Sequence, residues 1–393
     1  MKPYSRQNVT QEDIDSVVSV LKSDFLTQGP MVTRFENEIG AWCGVDHAVA
    51  VNNATAALHL ACLALGVDSE SSVWVAAVSF VASANCARYC GAKVEFVDVD
   101  PETGLICVDI LEASIRSNLV SGKALPKALI VVHLGGQSCD MEAIAKVCQR
   151  YEIHIIEDAC HALGGHYLGK PVGSCHYSDC TIFSFHPVKT ITSGEGGMLV
   201  TNNSALASRA RLLSSHGIER MRDRFQAKPK GEWWYEQQEL GFNYRLSDIH
   251  AALGLSQAQR LDSIVASKRV LADVYKKEFE RRNGQVIPVR QCKKTNTSWH
   301  LYPVLFQNQD ARDIAYSTLR ENGFGVNIHY EPIPLQPYYQ KLGSEGEFGG
   351  ARAYSSRTLS LPMYELLDES EIFRIVDICS RAATVTGQVR DLL

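Results

Sequence analysis

The residues Thr181-Ile-Phe-Ser-Phe-His-Pro-Val-Lys189-Thr-Ile-Thr-Ser-Gly-Glu-Gly-Gly197 decide how this chain is read. An apolar run carries Ser184 near its end, a short loop holds one lysine, and a glycine-rich return leads into a second apolar run, Met198 to Thr201. Pro187 fixes one dihedral of that loop, and Gly194, Gly196 and Gly197 permit its turns. A lysine in a constrained loop beyond a strand is open to burial. Burial lowers an amine's pKa and makes it a nucleophile able to form a Schiff base. The alternative, a solvated surface lysine, fits poorly with so constrained a loop.

Working outward, short β-branched or apolar runs alternate with helical patterns. The runs are Ala48 to Val51, Val73 to Val78, Val94 to Val99, Ala128 to His133, Ile153 to Asp158, Thr181 to Phe185 and Met198 to Thr201. Strands separated by crossover helices predict an α/β fold with a largely parallel sheet covered on both faces. Thr10 is placed to cap an amphipathic helix carrying Ile14, Val17, Val18 and Leu21, and a second helix is expected around Val32 to Cys43. Asn53 can cap another with Leu58, Ala61, Cys62 and Leu65 on one face, and Met141 to Tyr151 repeats the pattern. An aromatic, charged insertion runs from His216 to Leu240. After the start signal Ser247-Asp248, one long helix is expected from Ile249 to about Arg281. Beyond it, strands near Leu301 to Phe306 and Gly325 to His329 and helices near Ala311 to Glu321, Gly350 to Ser360 and Glu369 to Ala383 read as a small α+β domain. The division expected is an N-terminal arm (1–30), a large α/β domain (31–255) and a small C-terminal domain (256–393).

At 393 residues the chain exceeds one ordinary core. A net charge of −5 offers no basic face for nucleic acid. No stretch has the roughly 18 apolar residues of a membrane span, and Met1 to Ser16 lacks a signal-peptide pattern, so no membrane partner and a cytoplasmic location are expected. The 12 cysteines lie scattered in apolar runs and read as buried thiols. Cys160, His161, His166, Cys175, His176 and Cys180 lie close together, but no C-x2-C pair or His-Glu-x-x-His is present, so no metal is expected.

In open parallel sheets, ligands bind beyond the carboxyl ends of the strands. Four polar clusters sit there. Asn52-Asn53-Ala54-Thr55-Ala56 joins a strand to a helix start, which suits a phosphate or is simply an N-cap. Ile153-His-Ile-Ile-Glu-Asp158 ends in two adjacent acids, of which alternation lets only one face a given site. A buried carboxylate there needs a cation, either a neighbouring side chain or a pyridinium nitrogen. Phe80 can stack on a flat ring or belong to the core. Ser184 and Lys189 complete the set.

These residues resemble the fold-type-I pyridoxal-phosphate enzymes, and more narrowly the DegT/DnrJ/EryC1/StrS family of nucleotide-sugar aminotransferases. The marks are Ser184-Phe-His-Pro-Val-Lys189 with Gly194-Glu-Gly-Gly197, Glu157-Asp158-Ala-Cys-His161, Asn53-Ala-Thr-Ala-Ala-Leu58 and Leu240-Gly-Phe-Asn-Tyr-Arg-Leu-Ser-Asp248. The resemblance implies an aspartate aminotransferase-like fold whose cofactor is pyridoxal 5'-phosphate. It implies that Lys189 carries the cofactor covalently, Asp158 pairs with the ring nitrogen and Phe80 stacks on the ring. Ala54, Thr55 and Ser184 would hold the phosphate, with Asn243 reaching in from a second subunit of a homodimer with shared active sites. His161 stands where the family often has glutamine near the ring hydroxyl.

Pro3-Tyr-Ser-Arg-Gln7, Ser23-Asp-Phe-Leu-Thr-Gln-Gly-Pro30 and Ile328-His-Tyr-Glu-Pro-Ile-Pro-Leu-Gln-Pro-Tyr339 are similar to the pseudaminic-acid branch of the family. That branch implies a UDP-linked 2-acetamido-2,6-dideoxy-4-keto-hexose aminated at C4, with L-glutamate as donor and His329 and Tyr330 on the substrate side. Arg222 and Arg224 in the insertion are candidates for gripping the diphosphate, or a solvated charge run. The alternatives are another dTDP-, GDP- or UDP-linked 3- or 4-keto sugar, or a catalytically silent cofactor-binding regulator.

Overall fold

A computed structural model describes residues 1–282, 285–344 and 346–390. Its centre is a seven-stranded sheet of β1 (His47–Val51), β2 (Ser72–Ala76), β3 (Lys93–Val97), β4 (Ala128–Val132), β5 (His154–Asp158), β6 (Cys180–Ser184) and β7 (Gly197–Thr201), in the order β1-β7-β6-β5-β4-β2-β3. From β6 to β3 every neighbouring pair is parallel, while β7 runs antiparallel to both β1 and β6. The carboxyl ends of β1 and β6 and the amino end of β7 therefore meet at one edge.

Alternation along the strands feeds two cores. Ile182 and Leu199 pack with Leu58, Ala61 and Leu206 on one face, from α3 (Ala54–Ala64) and α7 (Ser204–Ser214). Phe183, Met198 and Val200 pack with Phe35 and Ile39 of α2 (Pro30–Cys43) on the other. Each such large side chain, once buried, contributes about 1.5–3 kcal/mol. The expected double coverage of a mostly parallel sheet is present.

The capping signals act as the sequence suggests. In α1 (Gln11–Leu21), Asp13 N donates to Thr10 Oγ1 and Thr10 N donates to Asp13 Oδ2, a reciprocal capping box. At α3, Ala56 N donates to Asn53 Oδ1 at 2.8 Å. The apolar stripe of α1 faces outward, however, with Ile14 46 % and Leu21 54 % exposed. Asp13 is buried instead, accepting from Ser256, Gln257 and Arg260.

That last contact corrects one expectation. The long helix after Ser247 is two helices, α8 (Asp248–Ala258) and α9 (Leu261–Glu280). The chain departs from helical geometry at Arg260 (φ −106, ψ 6), where its guanidinium reaches Asp13 and the Asn8 carbonyl. Helical periodicity continues through the break because a tertiary contact, not the local sequence, imposes it. Ile264 and Val265 pack in the large core and Leu271 onward in the small one, so α9 spans both.

The small core gathers α9, α10 (Gln309–Glu321), α13 (Glu369–Arg390) and a three-stranded sheet of Ile287–Pro288, Tyr302–Leu305 and Thr358–Leu361. Two further expectations need correction. Residues 325–329 form no strand, only a bridge between Asn327 and Ser360. The helix expected to reach Ser360 ends at Arg357, and Thr358–Leu361 is a strand. All twelve cysteines are free thiols, Cys62, Cys86, Cys148 and Cys379 buried and Cys90 partly so. Among the described residues no helix is long and apolar enough to cross a membrane.

Candidate active site

A cavity of about 340 Å³ opens at the sheet edge where β1, β6 and β7 meet the ends of β4 and β5. Ala54, Thr55, Phe80, Asp158, His161, Ser184, Lys189, His329 and Tyr330 all line it, although they come from widely separated segments.

Lys189 follows the end of β6 in a loop pinned at both ends. Phe185 N donates to Gly196 O at 2.9 Å, Ser193 N to Phe185 O at 3.0 Å and Lys189 N to His186 O at 2.8 Å. Gly194 adopts φ +79, the left-handed region open to glycine. Gly197 has a different task. A Cβ there would lie 2.4 Å from Asn53 C and 2.5 Å from Ala54 N, so glycine alone lets β7 start against the first turn of α3. That first turn presents N–H groups and the positive end of the helix dipole.

Burial pushes the Lys189 amine below the ordinary lysine range, with Cys160 and Asp158 acting in the opposite direction. Among the described residues no carboxylate lies within ion-pair distance of its Nζ. Asp158 closes β5 and is 7 % exposed. Its Oδ2 accepts from Ser83 Oγ at 2.6 Å and its Oδ1 from Cys160 N at 3.2 Å, and no described lysine, arginine or histidine pairs with it. Strand alternation sends Glu157 to the opposite face, where it accepts from His133 Nε2 (2.7 Å), Ser178 and Thr181.

His161 is held as a neutral donor. Gly135 N donates to Nδ1 at 3.3 Å, which leaves the ring proton on Nε2, 3.3 Å from Tyr330 Oη. Burial, with Lys189 and His329 nearby, holds its pKa well below the usual histidine range. Behind it lies His300, its ring tilted 41° and 4.4 Å away between centroids, whose buried Nδ1 has no hydrogen-bond partner among the described residues. His329 is likewise neutral, burial lowering it to about 3, with Nδ1 2.9 Å from Ser360 Oγ. Phe80 stands 57 % exposed at the mouth, 6.2 Å from the Tyr330 ring.

Asn243, Arg222 and Arg224 are not brought into this cavity. Asn243 is exposed on a segment bridged to Ser215, and the two arginines belong to an exposed turn in the insertion. Other lining residues are Ser79, His186, Glu195 and Asn327, which no pattern singles out individually, and Cys160, which the sequence offers only within its close group of cysteines and histidines. Tyr4 also lines the cavity, with its backbone O accepting from Met363 N while Ser5 Oγ donates to Val188 O at 2.6 Å. Only the quoted Pro3 to Gln7 segment hinted that the first residues matter.

The groups present fit pyridoxal phosphate. A half-buried, desolvated amine without a counter-ion suits its aldehyde, a buried carboxylate without a cation suits its ring nitrogen, and a helix start suits its phosphate.

Comparison with known proteins agrees. The DegT/DnrJ/EryC1/StrS aminotransferase family model matches residues 7–380. A Campylobacter jejuni UDP-4-amino-4,6-dideoxy-N-acetyl-beta-L-altrosamine transaminase is 39 % identical over 368 residues, 93 % of each chain. Among solved structures, Streptococcus pneumoniae Spr1654 in its apo form superposes with a TM-score of 0.90 at 27 % identity, covering 99 % of both chains. Spr1654 is also solved in PLP and PMP forms. Helicobacter pylori PseC, an aminotransferase of pseudaminic acid biosynthesis, gives 0.87 at 29 %, covering 98 % of this chain and 99 % of its own. The chain belongs to the DegT/DnrJ/EryC1/StrS aminotransferase family and is a pyridoxal-phosphate-dependent sugar aminotransferase.

Proposed function

We propose that this enzyme transfers the amino group of L-glutamate to C4 of a UDP-linked 2-acetamido-2,6-dideoxy-4-keto-hexose, working as a homodimer with shared sites. The observation that carries the chemistry is a pair of groups facing one cavity, the half-buried Lys189 amine and the buried Asp158 carboxylate, neither with an ion-pair partner among the described residues. The sugar is supported by the Campylobacter relative, whose name states a UDP-4-amino sugar. The dimer is supported by the exposed apolar residues Ile14, Leu21, Phe25 and Leu26, a patch that a second copy would cover.

When bound, pyridoxal phosphate supplies an aldehyde that takes up the amino group and a ring that accepts the electron pair left at carbon. Asp158 holds a proton on the ring nitrogen. The N–H groups of Ala54 and Thr55 and the Ser184 hydroxyl bind the phosphate, joined by Asn243 from the second subunit. Phe80 stacks on the ring, and His161 donates its Nε2 proton toward the ring hydroxyl. Lys189 Nζ takes the proton from Cα of glutamate and, in the return half-reaction, delivers one to C4 of the sugar. His329 and Tyr330 face the sugar, and Arg222 and Arg224 of the insertion pair with its diphosphate.

A panel of UDP-, dTDP- and GDP-linked 3- and 4-keto sugars with glutamate, products resolved by NMR, tests the reading. Amination at C4 of the UDP-linked 2-acetamido sugar is expected to have the highest kcat/KM. Preference for a 3-keto sugar or another nucleotide would replace it.

A further inference from the structure

Behind Asp158 lie two serines that the sequence reading did not single out. Ser83 is the second residue of α4 (Ala82–Tyr89) and is fully buried, and Ser79 precedes it in the loop after β2, 2 % exposed. Ser83 Oγ lies 2.6 Å from Asp158 Oδ2, and Ser79 Oγ lies 2.6 Å from Ser83 Oγ. A serine hydroxyl has one proton. The Asp158 carboxylate only accepts, so the Ser83 proton must point to it. Ser83 then accepts at its other contact, and Ser79 is the donor there. The order of protons is fixed: Ser79 to Ser83 to Asp158.

Each Asp158 oxygen thus receives one donor from the protein, Ser83 on Oδ2 and Cys160 N on Oδ1. The carboxylate cannot rotate without breaking one of them. Hydrogen bonds to a charged acceptor are short and strong, and a second hydroxyl behind the first polarises it further. The backbone under the relay is also held: Cys86 Sγ donates to Ser83 O at 3.2 Å, and Ser83 N donates to Phe80 O at 3.1 Å.

We infer that Ser83, backed by Ser79, is a positioning residue that fixes the Asp158 carboxylate as an anion and so keeps the shared proton on the ring nitrogen of the cofactor. This rests on the reading of Asp158 as the partner of that nitrogen. Ser83 touches neither cofactor nor substrate and acts only through Asp158. With the donor removed, negative charge on the carboxylate is less stabilised, the shared proton moves toward oxygen, and the ring becomes a poorer electron acceptor.

The test uses the holoenzyme loaded with pyridoxal phosphate labelled with 15N in the ring, and reads the ring-nitrogen chemical shift by NMR. Ser83→Ala should move the shift toward the unprotonated value and slow the glutamate half-reaction on the order of tenfold, the effect of losing one hydrogen bond to a charged group. Ser83→Cys fills the site with a slightly larger group that donates only weakly, so it should move both readouts the same way even if Ser83→Ala folds poorly. Ser79→Ala should give a smaller change in the same direction. A packing role alone would leave the nitrogen shift of Ser83→Cys at the wild-type value, and that result overturns the inference. Asp158→Asn separates the two readings. If it moves the shift and the serine variants do not, the relay is wrong while the role of Asp158 stands. If it too leaves the shift unchanged, the role of Asp158 is wrong.

Discussion

The cavity at the sheet edge and the insertion from His216 to Leu240 use polar residues in opposite ways. In the cavity, Asp158 and His161 are buried and Lys189 is half-buried, and hydrogen bonds from distant segments fix Asp158 and His161. In the insertion, Arg224 keeps half its side chain in solvent, 3.8 Å from Glu219. Trp233 is 71 % exposed, and Arg220 and Lys230 lie over the rings of Tyr235 and Trp234. A buried charge without a partner is costly, so its retention marks chemistry within a single chain. An exposed charge costs little to keep. Its meaning depends on what approaches it.

Lys189→Ala should lower transamination by on the order of a thousandfold or more, since both the covalent attachment and the proton transfer are lost. Measured 2-oxoglutarate release at an undiminished rate would remove the cavity from the chemistry. The insertion should answer differently. Arg222→Ala with Arg224→Ala should raise the sugar-nucleotide KM about tenfold while the glutamate half-reaction keeps its rate, because charge-assisted contacts to a diphosphate are lost and nothing at Lys189 changes. An unchanged KM would make the insertion a solvated surface.

The smallest expected effect concerns burial itself. The free amine, not the ammonium, captures an aldehyde. With the Lys189 pKa below the ordinary 10.5, more free amine is present at any pH beneath that value. Capture of pyridoxal phosphate by the cofactor-free protein should therefore rise with pH, with a midpoint below that of a lysine peptide. A midpoint equal to the peptide's would mean that the site admits water freely before the cofactor arrives.

Much of this was legible from residue order. Local periodicity located all seven strands of the large sheet, and alternation along β5 required that Glu157 and Asp158 part company. What the sequence hid arises from contacts between distant segments. The break at Arg260 depends on Asp13, nearly 250 residues earlier. Residues 325–329 look like a strand by composition, but their backbone pairs only at isolated points, Gly325 with Lys2 and Asn327 with Ser360. The outward face of α1 has the pattern of a core helix, and periodicity cannot say which side carries the core. Ser83 sits in an ordinary helix start, and only the fold brings it to Asp158.

The return between β6 and β7 also sets a length. Phe185 and Gly196 are bonded to each other, and β7 must begin at Gly197 because nothing larger fits against Asn53 and Ala54. With both ends of the span fastened, the number of residues between them works as a ruler that places Lys189 at one depth in the cavity. Adding or removing a single residue there would leave the strands paired and the lysine present, but at another depth in the cavity.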